Sequence, residues 1–197
     1  MNIAIIKYNA GNTKSVEHAL HRLGIQPVIT DDIELIQNAD KVIFPGVGHA
    51  ATTMQYLKER NLDKVITNLK QPVLGICLGQ QLMCAHSEEG DVDCLNIFPI
   101  QVKKFVTNDN KQKIPQMGWN NMFDVKSKLF QNINEQNFVY FVHSYYCELS
   151  EYNIASCDYI LPFSAALQKD NFYAVQFHPE KSADVGQLIL QNFIDYC

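Results

Sequence analysis

Short apolar runs alternate with helix-patterned stretches through the first half of the chain, and this rhythm limits the fold more than any other feature. The runs are Ile3-Ala4-Ile5-Ile6, Pro27-Val28-Ile29, Lys41-Val42-Ile43-Phe44 and Gln71-Pro72-Val73-Leu74-Gly75-Ile76. Between them the pattern predicts a helix over 13–23 capped by Gly24, and a short helix over 31–38 started by Asp31. A longer helix is predicted over about 50–69 and another over 79–87. Strands that alternate with helices build a parallel sheet covered on both faces.

The second half changes character. Strand-like segments gather near residues 97–106, 138–148, 153–156, 164–168 and 172–177, and a helix over about 183–196 closes the chain. Asn108-Asp109-Asn110-Lys111 reads as a polar turn. The expected fold class is α/β: an open, mostly parallel sheet flanked by helices, with an antiparallel or mixed extension in the C-terminal half. No linker or repeat interrupts the 197 residues, so a single domain over 1–197 is expected.

Composition narrows the function classes. Hydrophobic residues make up 47% and charged residues 19%, which excludes a disordered chain. The net charge of -5 disfavours nucleic-acid binding, which depends on positive charge. The chain shows neither a signal-peptide layout nor an apolar stretch long enough to span a membrane. The six cysteines form no C-x-x-C pair and read as free thiols in a cytoplasmic protein.

Gly75-Ile76-Cys77-Leu78-Gly79 is the sharpest chemical signal. A nucleophile between two glycines at a strand-to-helix junction has the layout of a nucleophile elbow. The N–H groups of the following helix would favour the thiolate. Cys84, seven residues on, reads as a core residue within that helix. A cysteine nucleophile needs a base. His178 qualifies by its setting, Val175-Gln176-Phe177-His178-Pro179-Glu180. In an extended segment residues i and i+2 share a face, so Glu180 would orient and charge the imidazole. His143, in an apolar strand, reads as packed core, and His49 after the glycine turn is placed to line a site. A buried core cysteine and a strand-end salt bridge are the competing readings of Cys77 and of the His178–Glu180 pair.

Acyl transfer also requires an oxyanion hole. Pro45-Gly46-Val47-Gly48 ends one parallel strand as the Cys77 turn ends another, and ligands of open α/β sheets bind beyond such strand ends. The backbone N–H groups of Val47 and Leu78 are the candidate donors, although an ordinary βα loop would use the same residues. Gly11-Asn12-Thr13-Lys14-Ser15 fails as a phosphate loop, because Thr13 stands where the second glycine must be. No metal or cofactor is expected.

Gly75-Ile76-Cys77-Leu78-Gly79-Gln80-Gln81, followed about a hundred residues later by Gln176-Phe177-His178-Pro179-Glu180, resembles the class I, triad-type glutamine amidotransferases over essentially the whole chain. The resemblance places the triad on Cys77, His178 and Glu180. Ala10-Gly11-Asn12, Pro45-Gly46-Val47-Gly48, Pro115-Gln116-Met117-Gly118-Trp119-Asn120 and Phe141-Val142-His143-Ser144-Tyr145-Tyr146 are most similar to the glutaminase subunits of imidazole glycerol phosphate synthases. The resemblance implies hydrolysis of L-glutamine, with ammonia passed to a (β/α)8-barrel cyclase in a heterodimer serving histidine biosynthesis. It implies that Gln81, Glu89 and the backbone at Ser144 and Tyr145 hold the glutamine. It also implies that Gln116, Met117, Gly118, Trp119 and Asn120 lie near the partner. Lys7 and Asn9 depart from the usual first turn of the family, and His49 stands where a small residue is common. A paralogue feeding another synthase would share much of this pattern. A catalytically silent stabilising subunit would not need the intact triad.

Overall fold

The structure, a computed structural model, describes residues 1–8, 12–108 and 112–197. The first-turn motif Ala10-Gly11-Asn12 and the polar turn at 108–111 therefore fall partly outside the described residues, as does Asn9. Seven strands form the main sheet, in the order Asn153–Tyr159 (β11), Leu161–Lys169 (β12), Phe172–Val175 (β13), Val73–Cys77 (β4), Lys41–Gly46 (β3), Ile3–Ile6 (β1) and Val28–Thr30 (β2). The five strands from β13 to β2 pair in parallel, and β12 and β11 extend the sheet antiparallel. The expected C-terminal extension is thus real for β11–β13. The other late strands leave the sheet. Cys84–Ser87 (β5), Val92–Asp93 (β6), Phe98–Lys104 (β7) and Tyr145–Cys147 (β10) form a four-stranded sheet, and Gln116–Asn121 (β8) pairs with Phe138–His143 (β9) as a ribbon.

Successive side chains of a strand face opposite ways, so the main sheet carries two cores. Ile3, Ile5, Ile43, Leu74 and Ile76 face one side, against Thr13–Arg22 (α1) and Ala183–Tyr196 (α6). Ala4, Ile6, Val42, Phe44 and Val73 face the other, against Ile33–Gln37 (α2), Ala50–Glu59 (α3), Leu62–Asn68 (α4) and Leu78–Leu82 (α5). Each fully buried Ile or Phe contributes roughly 1.5–3 kcal/mol. Among the described residues no helix is long and apolar enough to cross a membrane. All six cysteines are free, with Cys84 and Cys147 the near pair at 3.5 Å.

Four sequence expectations change. Asp32, not Asp31, caps α2, accepting the Leu35 N–H at 3.0 Å. The helix expected over 50–69 is two helices, broken where Asn61 adopts the left-handed conformation (φ 57°) that asparagine tolerates. Strand β3 continues through Pro45 and Gly46. Beyond Ile43 its β1 neighbour drops away, and a strand paired on one side accommodates a proline. The helix expected over 79–87 ends at Leu82, and Cys84 lies in a strand. The segment from Leu95 to Phe98 takes the carbonyls of Leu82, Met83 and Cys84 as acceptors, which turns the chain out of the helix.

Candidate active site

The carboxyl ends of β3, β4 and β13 meet at one cavity of about 290 Å³. Gly46 pairs with Cys77 across β3 and β4, which sets the two glycine turns side by side. Cys77 adopts φ 54° and ψ -107°, a backbone state an L side chain rarely enters. Close packing imposes it. A Cβ on Gly79 would stand 2.0 Å from the Phe44 carbonyl oxygen, and one on Gly46 would stand 2.6 Å from the Leu78 Cβ. The glycines therefore let α5 rest directly on β3. Helix α5 has only five residues, so the helix dipole expected to favour the thiolate is short. The Tyr8 hydroxyl donates to the Pro45 carbonyl at 2.6 Å and pins the neighbouring strand end.

His178 adds a charge to the contribution of this short helix. Its Nδ1 lies 2.8 Å from Glu180 Oε1, and both side chains are only 1% exposed. The pair is not set by an extended strand, as the sequence suggests. Pro179–Lys181 is a 3-10 turn, and the turn places Glu180 beneath the ring. The His178 N–H donates to the Tyr140 carbonyl, and its carbonyl accepts the Ser182 hydroxyl, so the turn is fixed to β9 and α6. Burial pulls the His178 pKa down, but hydrogen bonding and charge from Cys77 and Glu180 outweigh it and push the value up to about 10. Among the described residues His178 Nε2 has no hydrogen-bond partner of ordinary geometry, and Cys77 is the group that acts on it across the site.

Cys77, Val47, Leu78, Gln81, Glu89, Ser144, Tyr145 and His178 all line the cavity, with Glu180 behind His178. Leu78 opens α5, so its N–H has no partner within the helix. Glu89 Oε2 accepts the Ala50 N–H at 2.9 Å, which ties it to the start of α3. Gln81 Nε2 donates to the Tyr145 carbonyl at 2.9 Å. His49 stands at the start of the same helix without a side-chain capping bond, is exposed and does not line the cavity.

Two residues have roles that the sequence did not indicate. His143 Nδ1 lies 2.7 Å from the Tyr145 carbonyl and Nε2 lies 2.9 Å from the Gln116 amide. Burial holds its pKa down at about 4, so it is a neutral link rather than a base. Gln176 Nε2 lies 3.7 Å from Cys77 Sγ, and its Oε1 accepts from Gln81 at 3.0 Å. Only a hydrogen-bond network reveals either role, because an apolar strand context carries no sign of it.

The segment expected near a partner splits by strand alternation. Met117 and Trp119 are 66% and 51% exposed, while Gln116 is 3% exposed and turned inward onto His143. Gly118 and Asn120 are half-buried, and Asn120 donates to the Asp158 carbonyl at 3.0 Å. Among the described residues no group of three or more His, Cys, Asp or Glu side chains is placed to hold a metal ion.

Comparison with known proteins agrees with this geometry. The family model described as glutamine amidotransferase class-I matches residues 4–196. The imidazole glycerol phosphate synthase subunit HisH of Bacteroides thetaiotaomicron is 60% identical, over 99% of this chain and 100% of that protein. The HisH subunit of Pasteurella multocida is 47% identical, over 98% of each chain. The structure of PurLQS from Thermotoga maritima aligns with a TM-score of 0.70 at 15% identity, over 99% of this chain and 98% of that one, a likeness of fold. With a cysteine elbow, a His–Glu pair behind it and a family match from one end to the other, the chain belongs to the class I glutamine amidotransferases.

Proposed function

We propose that this protein is the glutaminase subunit of an imidazole glycerol phosphate synthase. It hydrolyses L-glutamine to glutamate and ammonia, and the ammonia serves a cyclase in histidine biosynthesis. The observation that carries the chemistry is the buried His178–Glu180 pair facing the same cavity as the strained Cys77. The 60% identity to a HisH subunit supports the choice of pathway.

Cys77 thiolate attacks the side-chain amide carbon of glutamine, forming a C–S bond and placing charge on the oxygen. The Val47 and Leu78 N–H groups receive that charge. Loss of one such donor costs about 10²–10³ in rate. Protonated His178 gives its proton to the nitrogen as the C–N bond breaks, and ammonia leaves. His178 then takes a proton from water, which attacks the thioester and releases glutamate and the thiolate. Glu180 holds the ring and its charge throughout. Glu89 pairs with the substrate ammonium, Gln81 steadies the substrate loop, and the backbone at Ser144 and Tyr145 receives the α-carboxylate.

In bulk water near neutral pH most ammonia is protonated and no longer nucleophilic. A partner docked over the site removes that loss. We assign this role to a (β/α)8-barrel cyclase in a heterodimer, seated on the face that carries Met117 and Trp119. The test is glutamate release by the chain co-expressed with its cyclase, with and without the cyclase's nucleotide substrate. Coupled formation of glutamate and cyclised product is expected. A complex that turns over only external ammonia, never glutamine, would overturn the reading.

A further inference from the structure

Cys77 Sγ has a polar neighbour that the hydrolysis scheme leaves idle. Gln176 is fully buried, immediately after β13, with its Nε2 3.7 Å from the sulfur. The oxygen and nitrogen of a side-chain amide have the same shape, so the neighbours must decide which end faces the sulfur. Here they do. The Tyr145 carbonyl can only accept, so the Gln81 group 2.9 Å away is its NH2. That NH2 also donates to the Gln176 amide at 3.0 Å, which makes the receiving atom Oε1. With its oxygen committed to Gln81, Gln176 turns its N–H toward Cys77.

Apart from His178, the other polar neighbour of the sulfur among the described residues is the Val142 carbonyl at 3.8 Å, an acceptor. The two protonation states of Cys77 therefore have different partners. The thiol donates to Val142. The thiolate has nothing to gain there and accepts from Gln176, with His178 acting on it from across the site. Hydrogen bonds to a charged acceptor are about twice as strong as neutral ones, so this donor favours the thiolate.

We propose that Gln176 is a fixed hydrogen-bond donor to the Cys77 thiolate, held in place through Gln81 by the backbone of the substrate loop at Tyr145. Its part in catalysis rests on the glutaminase reading, but the donor contact itself does not. The chain Tyr145–Gln81–Gln176–Cys77 also links the loop that would receive the substrate carboxylate to the reactive atom, so displacement of that loop changes thiol reactivity.

The test is alkylation of Cys77 by iodoacetamide in the full-length chain, read by mass spectrometry of the Cys77 peptide across a pH series. Gln176→Met removes the donor at similar volume. Gln176→Glu keeps an acceptor for Gln81 and sets a carboxylate oxygen against the sulfur. Both variants should alkylate about tenfold more slowly at neutral pH, with the midpoint of the pH–rate curve moved upward. An unchanged rate and midpoint in the folded variants would overturn the proposal. If the Met variant does not fold, the Glu variant decides, and loss of fold in both also overturns it, because Gln176 would then serve the core. Alkylation needs no glutamine. A wild-type complex that fails to release glutamate while the variants behave as expected would remove the glutaminase reading and leave the donor standing.

Discussion

His178 carries two opposed influences, burial against the charge of Cys77 and Glu180, and the second wins. Its folded pKa of about 10 stands above the ordinary 6.5. Its protonation therefore stabilises the fold fully below pH 6.5, and that contribution is lost as pH rises toward about 10. Removing the sulfur should reveal how much of the elevation it supplies. In Cys77→Ser, glutamine hydrolysis is expected to vanish while the fold persists, and the His178 ring should titrate at lower pH by NMR. An unmoved titration would show that Glu180 alone sets the value. Under the proposed mechanism Glu180→Gln should lower kcat less than His178→Ala, because there Glu180 only orients the ring whereas His178 moves the protons. Steady-state rates with saturating partner decide between them. At this scale the sequence was informative where flanking residues constrain geometry. Two glycines and a strand-to-helix step announced Cys77, and a two-residue spacing announced Glu180. The reason differed, since a 3-10 turn makes the contact. Gln176 was visible only as part of a motif, because its role depends on Gln81, 95 positions away in the chain.

Among the elements, the five-residue α5 depends most on its neighbours, because so short a helix is not stable by itself. Its position rests on Gly79 lying against the Phe44 carbonyl. Gly79→Ala should push α5 off β3 and destabilise the protein by about 1–3 kcal/mol, as overpacking does. Denaturant unfolding measures the loss, and glutamine turnover should fall further than stability because Cys77 and Leu78 move with the helix. The central parallel strands were legible because each is a short apolar run bounded by turn residues. The break at Asn61 and the early end of α5 were not. The first depends on one left-handed residue, and the second on the carbonyl contacts made by residues 95–98. Neither leaves a mark on hydrophobic periodicity.

Across the whole molecule, the cavity and the exposed ribbon of β8 and β9 are joined through one buried link. Gln116 reaches His143, and His143 reaches the Tyr145 carbonyl. The face proposed for the partner is thus linked through Gln116 and His143 to the loop proposed to receive the substrate. The isolated chain is expected to hydrolyse glutamine slowly and to accelerate when the cyclase and its nucleotide ligand bind. If the lone chain already runs at the full rate of the liganded complex, no such activation exists. Trp119→Ala should weaken association by about 2 kcal/mol or more, as loss of a central aromatic anchor does, measured by titration calorimetry. The separate four-stranded sheet was not legible, because residues 84–87 continue a helix pattern, residues 92–93 are too short to read as a strand, and β10 joins them from residues 145–147.

The twisted backbone at Cys77 has a consequence for descent. A residue held at φ 54° costs on the order of 1–3 kcal/mol, and glycine would hold the same angle with little strain. In a lineage no longer selected to release ammonia from glutamine, replacement of this cysteine by glycine would be favoured by stability alone. Activity of this kind decays downhill, and its recovery would have to climb back against the same strain.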